Sequence, residues 1–138
     1  RAIILHLGKD VTAGVGGLSS ARPFHYKTIQ AIDNVFAGMH VDVLNVNVQT
    51  SSNNYKVFTF AGEDDIQLIV LWVDGVAVAD DPGITSTITI PGAAGRNAVG
   101  IDVLNGIKQE LITSDENGSL IIRGLLIKDY PMIIRLTD

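Results

Sequence analysis

Period-two alternation of apolar and polar residues constrains this chain more than any other feature. From Val41 onward, short apolar runs alternate with polar or Gly-containing turns, spaced about 8–12 residues apart. Successive side chains of a strand point to opposite faces, so the alternation predicts strands that rest one face on a core. β-Branched residues favour the same structure, with 17 Ile and 14 Val against 11 Ala. The pattern is typical of an antiparallel β-sandwich.

We therefore predict a mainly β fold, an Ig-like or jelly-roll-like antiparallel sandwich of about eight strands with one N-terminal α-helix. The run at 66–73 is apolar on both faces, which indicates a central strand. Asn105-Gly106 and the segment 114–118 are predicted hairpin turns. Between 41 and 48 the alternation slips by one residue, which predicts a bulge or a bend. The remaining predicted strands are 55–60, 85–90, 98–104, 107–113, 119–127 and 132–138.

Residues 1–39 do not follow the alternation. An apolar run of strand length at 2–7 is followed by a Gly-rich loop at 8–21 and by a predicted helix at 22–39. We therefore divide the chain into this N-terminal segment of strand, loop and helix, and a sandwich that comprises residues 40–138.

The predicted helix carries start, stop and periodicity signals. Pro23 can occupy the first turn, where its missing N–H has no cost, and Gly38 lies near the expected end. Apolar residues recur at spacings of three and four, which places them on one face of a helix: Tyr26, Ile29, Ile32, Phe36 and Met39. We expect this face to pack against the sandwich.

Charge and composition exclude several classes of protein. The net charge is −5 and the isoelectric point is about 5.0, so no basic surface is expected to meet a nucleic acid. No apolar run reaches the roughly 18 residues that cross a bilayer, so no membrane partner is expected. Cysteine is absent, which removes disulfides and thiolate chemistry. The chain begins with Arg1 and has no leader-like segment, so we expect a mature product or a piece of a longer protein.

Residues suited to catalysis or metal binding do not form a recognisable motif. The three histidines lack the spacing that puts two imidazoles on one helical face, and the glutamates do not form a pair that would flank a glycosidic bond. We expect no catalytic residue, no metal ligand set and no cofactor. The acidic turns 63–65 and 80–81 are the places where Ca²⁺ could bind through oxygen ligands. The histidines are His6, His25 and His40, and the glutamates are Glu63, Glu110 and Glu116.

Aromatic residues define the candidate ligand surface, because sugars stack their C–H faces on flat side chains. Tyr55 follows a polar turn, and Tyr130 lies in an Asp-Tyr-Pro turn from which it could equally pack back on the sheet. An edge of Trp72 is a further candidate, although a core or interface position suits that residue better. Asp74 and the amides of Asn53 and Asn54 are near in sequence and could supply hydrogen bonds. The carbohydrate-binding candidates are therefore Tyr55, Trp72, Asp74 and Tyr130.

Five segments carry a resemblance to a known family. Residues 101–111 (IDVLNGIKQEL) and 116–136 (ENGSLIIRGLLIKDYPMIIRL) resemble the closing pattern of the C-terminal β-sandwich of clan A glycoside hydrolases. The strand pair 55–60 and 69–75 (YKVFTF and IVLWVDG) is similar to an earlier pair in those modules. Residues 17–28 (GLSSARPFHYKT) are similar to the entry into the last helix of the catalytic (β/α)8 barrel.

The resemblance implies an accessory module of a polysaccharide-degrading enzyme. Its partners would be the catalytic barrel of the same polypeptide and plant or microbial polysaccharide, in a secreted or extracellular setting. No position here matches the motifs that carry the catalytic glutamates of these enzymes, so the resemblance implies no catalytic residue. Three roles stay open at this point: a carbohydrate-binding module, a purely structural module that stabilises the barrel, and a cell-surface adhesion domain.

Overall fold

The structure, a computed structural model, describes residues 1–9 and 23–138. Most of the predicted Gly-rich loop and the side chain of Tyr26 lie outside the described residues. The helices are α1 (Ala2–Leu7) and α2 (Pro23–Phe36). The strands are β1 (His40–Val41), β2 (Asn47–Gln49), β3 (Tyr55–Ala61), β4 (Gln67–Val73), β5 (Ile84–Pro91), β6 (Asn97–Asp102), β7 (Ile107–Glu110), β8 (Thr113–Glu116), β9 (Ser119–Ile127) and β10 (Met132–Thr137).

The strands form two antiparallel sheets that pack as a sandwich. The larger sheet has six strands in the order β1-β3-β4-β10-β6-β7, and the smaller has four in the order β2-β5-β9-β8. Apolar side chains between the sheets form one core, which includes Ile69, Leu71, Ile88 and Leu136. The predicted mainly β sandwich is confirmed, with about ten strands among the described residues.

The chain crosses from one sheet to the other within two segments, 41–48 and 107–113, in which the sequence predicts no turn. β1 and β2 belong to different sheets, so the slip in alternation at 41–48 is a bend between them. Thr59 holds this bend, because its hydroxyl donates to the Asp42 carbonyl at 2.5 Å and accepts from the Leu44 N–H at 3.2 Å. The predicted single strand at 107–113 is wrong. β7 and β8 lie in different sheets, and the link between them places Ile112 at the surface, 92% exposed.

β4 is buried on both faces, which confirms the prediction for 66–73. One face, with Ile69 and Leu71, joins the core between the sheets. The other face, with Leu68, Val70 and Trp72, joins a second apolar cluster beneath the helices. The six-stranded sheet is therefore the middle of three layers, which explains why this strand reads as a continuous apolar run.

The apolar run at 2–7 is a helix, so the predicted strand is wrong. Ile4 is 1% exposed in the second cluster, and its carbonyl accepts the N–H of Gly8 at 2.8 Å. The N–H of Leu5 likewise donates to the Arg1 carbonyl at 2.9 Å, and the helix covers the outer face of the six-stranded sheet. A six-residue apolar run does not distinguish a buried helix from a buried strand by periodicity, and that ambiguity accounts for the error.

The second helix packs on the same face. Ile32 and Phe36 are buried, and the Phe36 ring meets Phe60 of β3 edge-on at 5.0 Å. α2 ends at Phe36, three residues before the predicted end, and Gly38 follows it with a left-handed φ of 73°. The helices and the sheet share one apolar cluster across the predicted boundary at residue 39. No described helix is long and apolar enough to cross a membrane.

Candidate functional site

Loops from three strand connections gather at one end of the six-stranded sheet. β4 and β6 end there and β3 and β10 begin there, because neighbouring strands run antiparallel. A cleft of about 410 Å³ lies among these loops, and we call it the loop-end cleft. Its polar and aromatic lining includes Arg1, Asp80, Asp81, Asn105, Lys128 and Tyr130. The sandwich core beneath it fixes the strands from which these loops leave.

Arg1 joins the start of α1 to this end of the sandwich. Its Nε donates to the Asp129 carbonyl at 2.6 Å, and one terminal nitrogen donates to the Gly75 carbonyl at 2.6 Å. The other terminal nitrogen also donates to the Asp129 carbonyl. The guanidinium lies 4.0 Å from the carboxylate of Asp74. These contacts hold the 74–83 and 128–131 loops beside the helix.

Two carboxylates tie those loops to each other. Asp81 accepts the N–H of Gly83 at 3.0 Å and the N–H of Asp129 at 2.7 Å, and Asp129 accepts the N–H of Val78 at 2.6 Å. The bonds from Gly83 and Asp129 hold the pKa of Asp81 below its ordinary value, because they favour the ionised carboxylate. Both carboxylates therefore act as acceptors for backbone groups.

Asn105 and Tyr130 also line the cleft, and the carboxylate of Asp102 holds both of them from outside the lining. The Asp102 carboxylate accepts the Asn105 side-chain amide at 2.8 Å and the Tyr130 hydroxyl at 2.9 Å. It also accepts the N–H groups of Leu104 and Asn105, each at 3.0 Å. Burial opposes ionisation of Asp102, but these hydrogen bonds outweigh it and lower the pKa. Burial and the neighbouring Asp102 raise the pKa of Tyr130 to about 12. The phenol therefore stays protonated and donates at neutral pH.

The predicted binding residues Tyr55, Asp74 and Tyr130 lie at this same end. Tyr55 is half-buried at the start of β3, opposite Val73. The backbone N–H of Asp74 donates to the Asn54 carbonyl at 2.8 Å, and the Asn54 side-chain amide donates to the Asp74 carbonyl at 2.7 Å. The Asp74 carboxylate lies 3.7 Å from the Lys56 ammonium. Tyr130 lines the loop-end cleft itself. Asn53 is exposed on the adjoining turn.

Trp72 does not belong to this surface. Its side chain is 1% exposed in the second apolar cluster, and its ring stacks on Phe58 at 5.6 Å with an interplanar angle of 20°. The expectation that an edge of Trp72 faces a ligand is wrong, because the helical layer covers that face of β4. The apolar character of both faces of 66–73 was the signal for this burial.

Sequence reasoning missed several residues of the cleft. Lys128 places its ammonium 5.8 Å from the centre of the Tyr130 ring, close enough for a cation–π contact. The sequence marks Asn105 only as part of a hairpin turn, although an Asp three residues earlier is a recognisable turn-capping signal. No local sequence pattern marks Arg1 as part of the cleft, because its partners lie 74 and 128 positions away in the sequence.

The described residues hold no group of three or more His, Cys, Asp or Glu side chains placed to bind a metal ion. In the acidic turn at 63–65, Asp64 and Asp65 adopt left-handed backbone conformations with φ of 54°. In the turn at 80–81, Asp81 is bound by backbone N–H groups. His6 uses Nδ1 within its own helix, 2.8 Å from the Ala2 carbonyl oxygen. Asp81 and His6 therefore have structural partners of their own.

Comparison with known proteins found no matching family model and no matching curated protein. The resemblance to the sandwich of clan A glycoside hydrolases therefore stays a prediction.

Proposed function

We propose that this chain is a non-catalytic accessory β-sandwich domain of a polysaccharide-degrading glycoside hydrolase, and that it contacts glycan weakly at the loop-end cleft. The observation that carries the proposal is the cleft itself, where the half-buried ring of Tyr130 lies among polar side chains on a rigid sheet end. The sequence resemblance supplies the class of enzyme and of ligand.

The chemistry of the cleft suits a sugar hydroxyl array. Lys128 offers a donor beside Tyr130, the side-chain oxygen of Asn105 offers an acceptor, and Asp80 adds an exposed carboxylate. Each exchange of a water hydrogen bond for a protein hydrogen bond gains only about 0.5–1.5 kcal/mol. With one ring and a few polar groups, we expect a Kd on the order of 0.1–1 mM, which corresponds to about −5.5 to −4 kcal/mol.

The carboxylates that line the cleft or hold its lining residues support a non-catalytic role. Glycosidases need one carboxyl group to deliver a proton and a second to attack or to activate water. Asp81, Asp102 and Asp129 instead accept hydrogen bonds that fasten loops, and the pKa values of Asp81 and Asp102 are lowered. A lowered pKa disfavours the protonated form that a general acid requires.

A purely structural module is the second candidate, and the burial of Trp72 favours it. The tryptophan, the helices and the six-stranded sheet form one apolar cluster, so the helices are held rigidly on the sandwich. Such an arrangement would fix the sandwich to whatever the helical segment adjoins, without any ligand.

Affinity electrophoresis and calorimetric titration with soluble xylan, β-glucan and mannan test the proposal. We expect one of these polysaccharides to retard the protein, with retardation lost in Tyr130→Ala, kept in Tyr130→Phe and reduced in Lys128→Ala. Lys27→Ala, the same change on the exposed face of α2, is the matched control. If no polysaccharide retards the protein, the structural role replaces the binding role.

Hydrolysis is checked in parallel with aryl glycosides and the same polysaccharides at high protein concentration. We expect no product above the blank. Turnover that follows the protein through purification would contradict the non-catalytic assignment.

A further inference from the structure

The exposed edge of the six-stranded sheet is formed by β7. All four of its residues are exposed, and its outer side has no neighbouring strand in the described part of the chain. The opposite edge, β1, is only two residues long. An edge strand presents backbone N–H and C=O groups that can pair with another strand. β7 is therefore the longer open edge of this sheet.

The backbone register identifies which groups face outward. Just beyond β7, the N–H of Leu111 donates to the carbonyl of Ala98 at 2.9 Å, directly opposite in the β6–β7 register. Hydrogen-bonded pairs alternate along an antiparallel ladder, so Gln109 also directs its backbone groups toward β6. Lys108 and Glu110 consequently direct their N–H and C=O groups away from the sheet.

The sequence of this edge is complementary to itself. In an antiparallel pair centred on Gln109, Lys108 lies opposite Glu110 of the partner subunit, and Glu110 lies opposite Lys108 of the partner subunit. These are the residues with outward backbone groups, so both pairs can exchange two backbone hydrogen bonds. Opposite charges directly across an antiparallel pair also stabilise it.

The side chains on both faces of the paired strands are compatible with this pairing. Lys108 and Glu110 lie across from Ile101 and Val99 of β6, which belong to the helix side of the sheet, so the charges meet on one face. Ile107 is 56% exposed on the other face, where it lies opposite Leu111 of the partner subunit. Neither Lys108 nor Glu110 forms an ion pair within the ranges 1–9 and 23–138.

We propose that β7 is a homodimer interface, in which two copies pair edge to edge about a two-fold axis through Gln109 and join their six-stranded sheets into one. The β8 edge of the other sheet does not suit this role, because β8 carries Asp115 and Glu116 and self-pairing would place carboxylates near each other. This inference does not depend on glycan binding.

Sedimentation velocity over about a 100-fold range of protein concentration tests the dimer, because mass action shifts a weak monomer–dimer equilibrium over such a range. We expect the wild-type mass to rise toward twice the 14.7 kDa of one chain. Lys108→Glu alone and Glu110→Lys alone should each stay monomeric, because like charges then face each other at both pairs. The double variant Lys108→Glu/Glu110→Lys should dimerise as wild type does.

An equimolar mixture of the two single variants is the most discriminating measurement. One copy then carries two glutamates and the other two lysines on this edge, so a mixed dimer should form from two monomeric proteins. Circular dichroism, and thermal melting at a concentration where wild type is monomeric, should be unchanged in all variants and show that the fold is kept. A wild type that stays monomeric at the highest concentration, or single variants that dimerise as well as wild type, would overturn the proposal.

Discussion

Replacing Ile4 by alanine tests whether α1 is part of the folded unit. Ile4 is the fourth residue of the chain, and in an exposed terminal segment such a change would have little effect. In the structure its side chain is 1% exposed and packs in the same cluster as Phe36 and Trp72. The variant therefore separates a frayed terminus from an integral layer.

The expected magnitude follows from this burial. Complete burial of an Ile side chain stabilises a fold by about 1.5–3 kcal/mol, and Ile→Ala at buried sites costs about 2–5 kcal/mol when the cavity term is added. A helix of six residues can relax into part of the space, so we expect a loss of about 2–4 kcal/mol. For a chain of this size that corresponds to a fall in Tm of about 3 °C per kcal/mol.

Urea denaturation followed by circular dichroism measures the effect as a lower midpoint with an unchanged m-value. Ile112→Ala is the matched control, because it makes the same chemical change at a side chain that is 92% exposed, and we expect a change within about 0.5 kcal/mol. Equal midpoints for Ile4→Ala and Ile112→Ala would refute the packing argument for α1.

Gly8→Ala should destabilise the protein by about 1–3 kcal/mol, because an added Cβ would overlap the Phe58 ring. The backbone itself is not the cause, since the φ of −66° at Gly8 suits any residue. A stability equal to that of wild type in urea would contradict this steric argument. The pKa of Tyr130 is about 12 in the folded chain and about 10 in the unfolded chain. Its contribution to the stability of the fold is therefore complete below about pH 10 and is lost as the pH rises toward 12. The free energy of unfolding should fall over that range, and Tyr130→Phe should flatten the fall; an identical alkaline profile in the variant would contradict the Asp102–Tyr130 hydrogen bond.

The sequence predicted the sandwich because burial and alternation act together in its strands. β4 has both faces covered and reads as an unbroken apolar run, while β5 places Ile88 and Ile90 inward and its threonines outward. The turn at Asn105-Gly106 was also predicted, and Gly106 adopts a left-handed φ of 68°. These features depend on residues that are neighbours in the sequence, so local sequence patterns predict them.

The remaining features depend on contacts between distant segments. Residues 2–7 form a helix because they cover the outer face of the six-stranded sheet. The chain changes sheets after β7, where Leu111 packs against the core between the sheets. The sequence predicts Tyr130 in the loop-end cleft and Asp74 at the same end of the sheet, but Arg1 reaches the cleft across 128 positions of sequence. Trp72 was misplaced in part because its burial depends on the helical layer.

The position of β10 has a consequence for how the protein is made. It is the last of the described strands in sequence, yet it lies between β4 and β6 in the middle of the larger sheet. While a ribosome is still adding residues before Met132, β4 and β6 have no partner between them, and the apolar side chains that β10 will cover are exposed. The larger sheet is thus completed late and by long-range pairing, which is slow and prone to aggregation. Truncation upstream of β10 would leave a chain that holds most of its apolar residues but has no strand to join the two halves of its largest sheet.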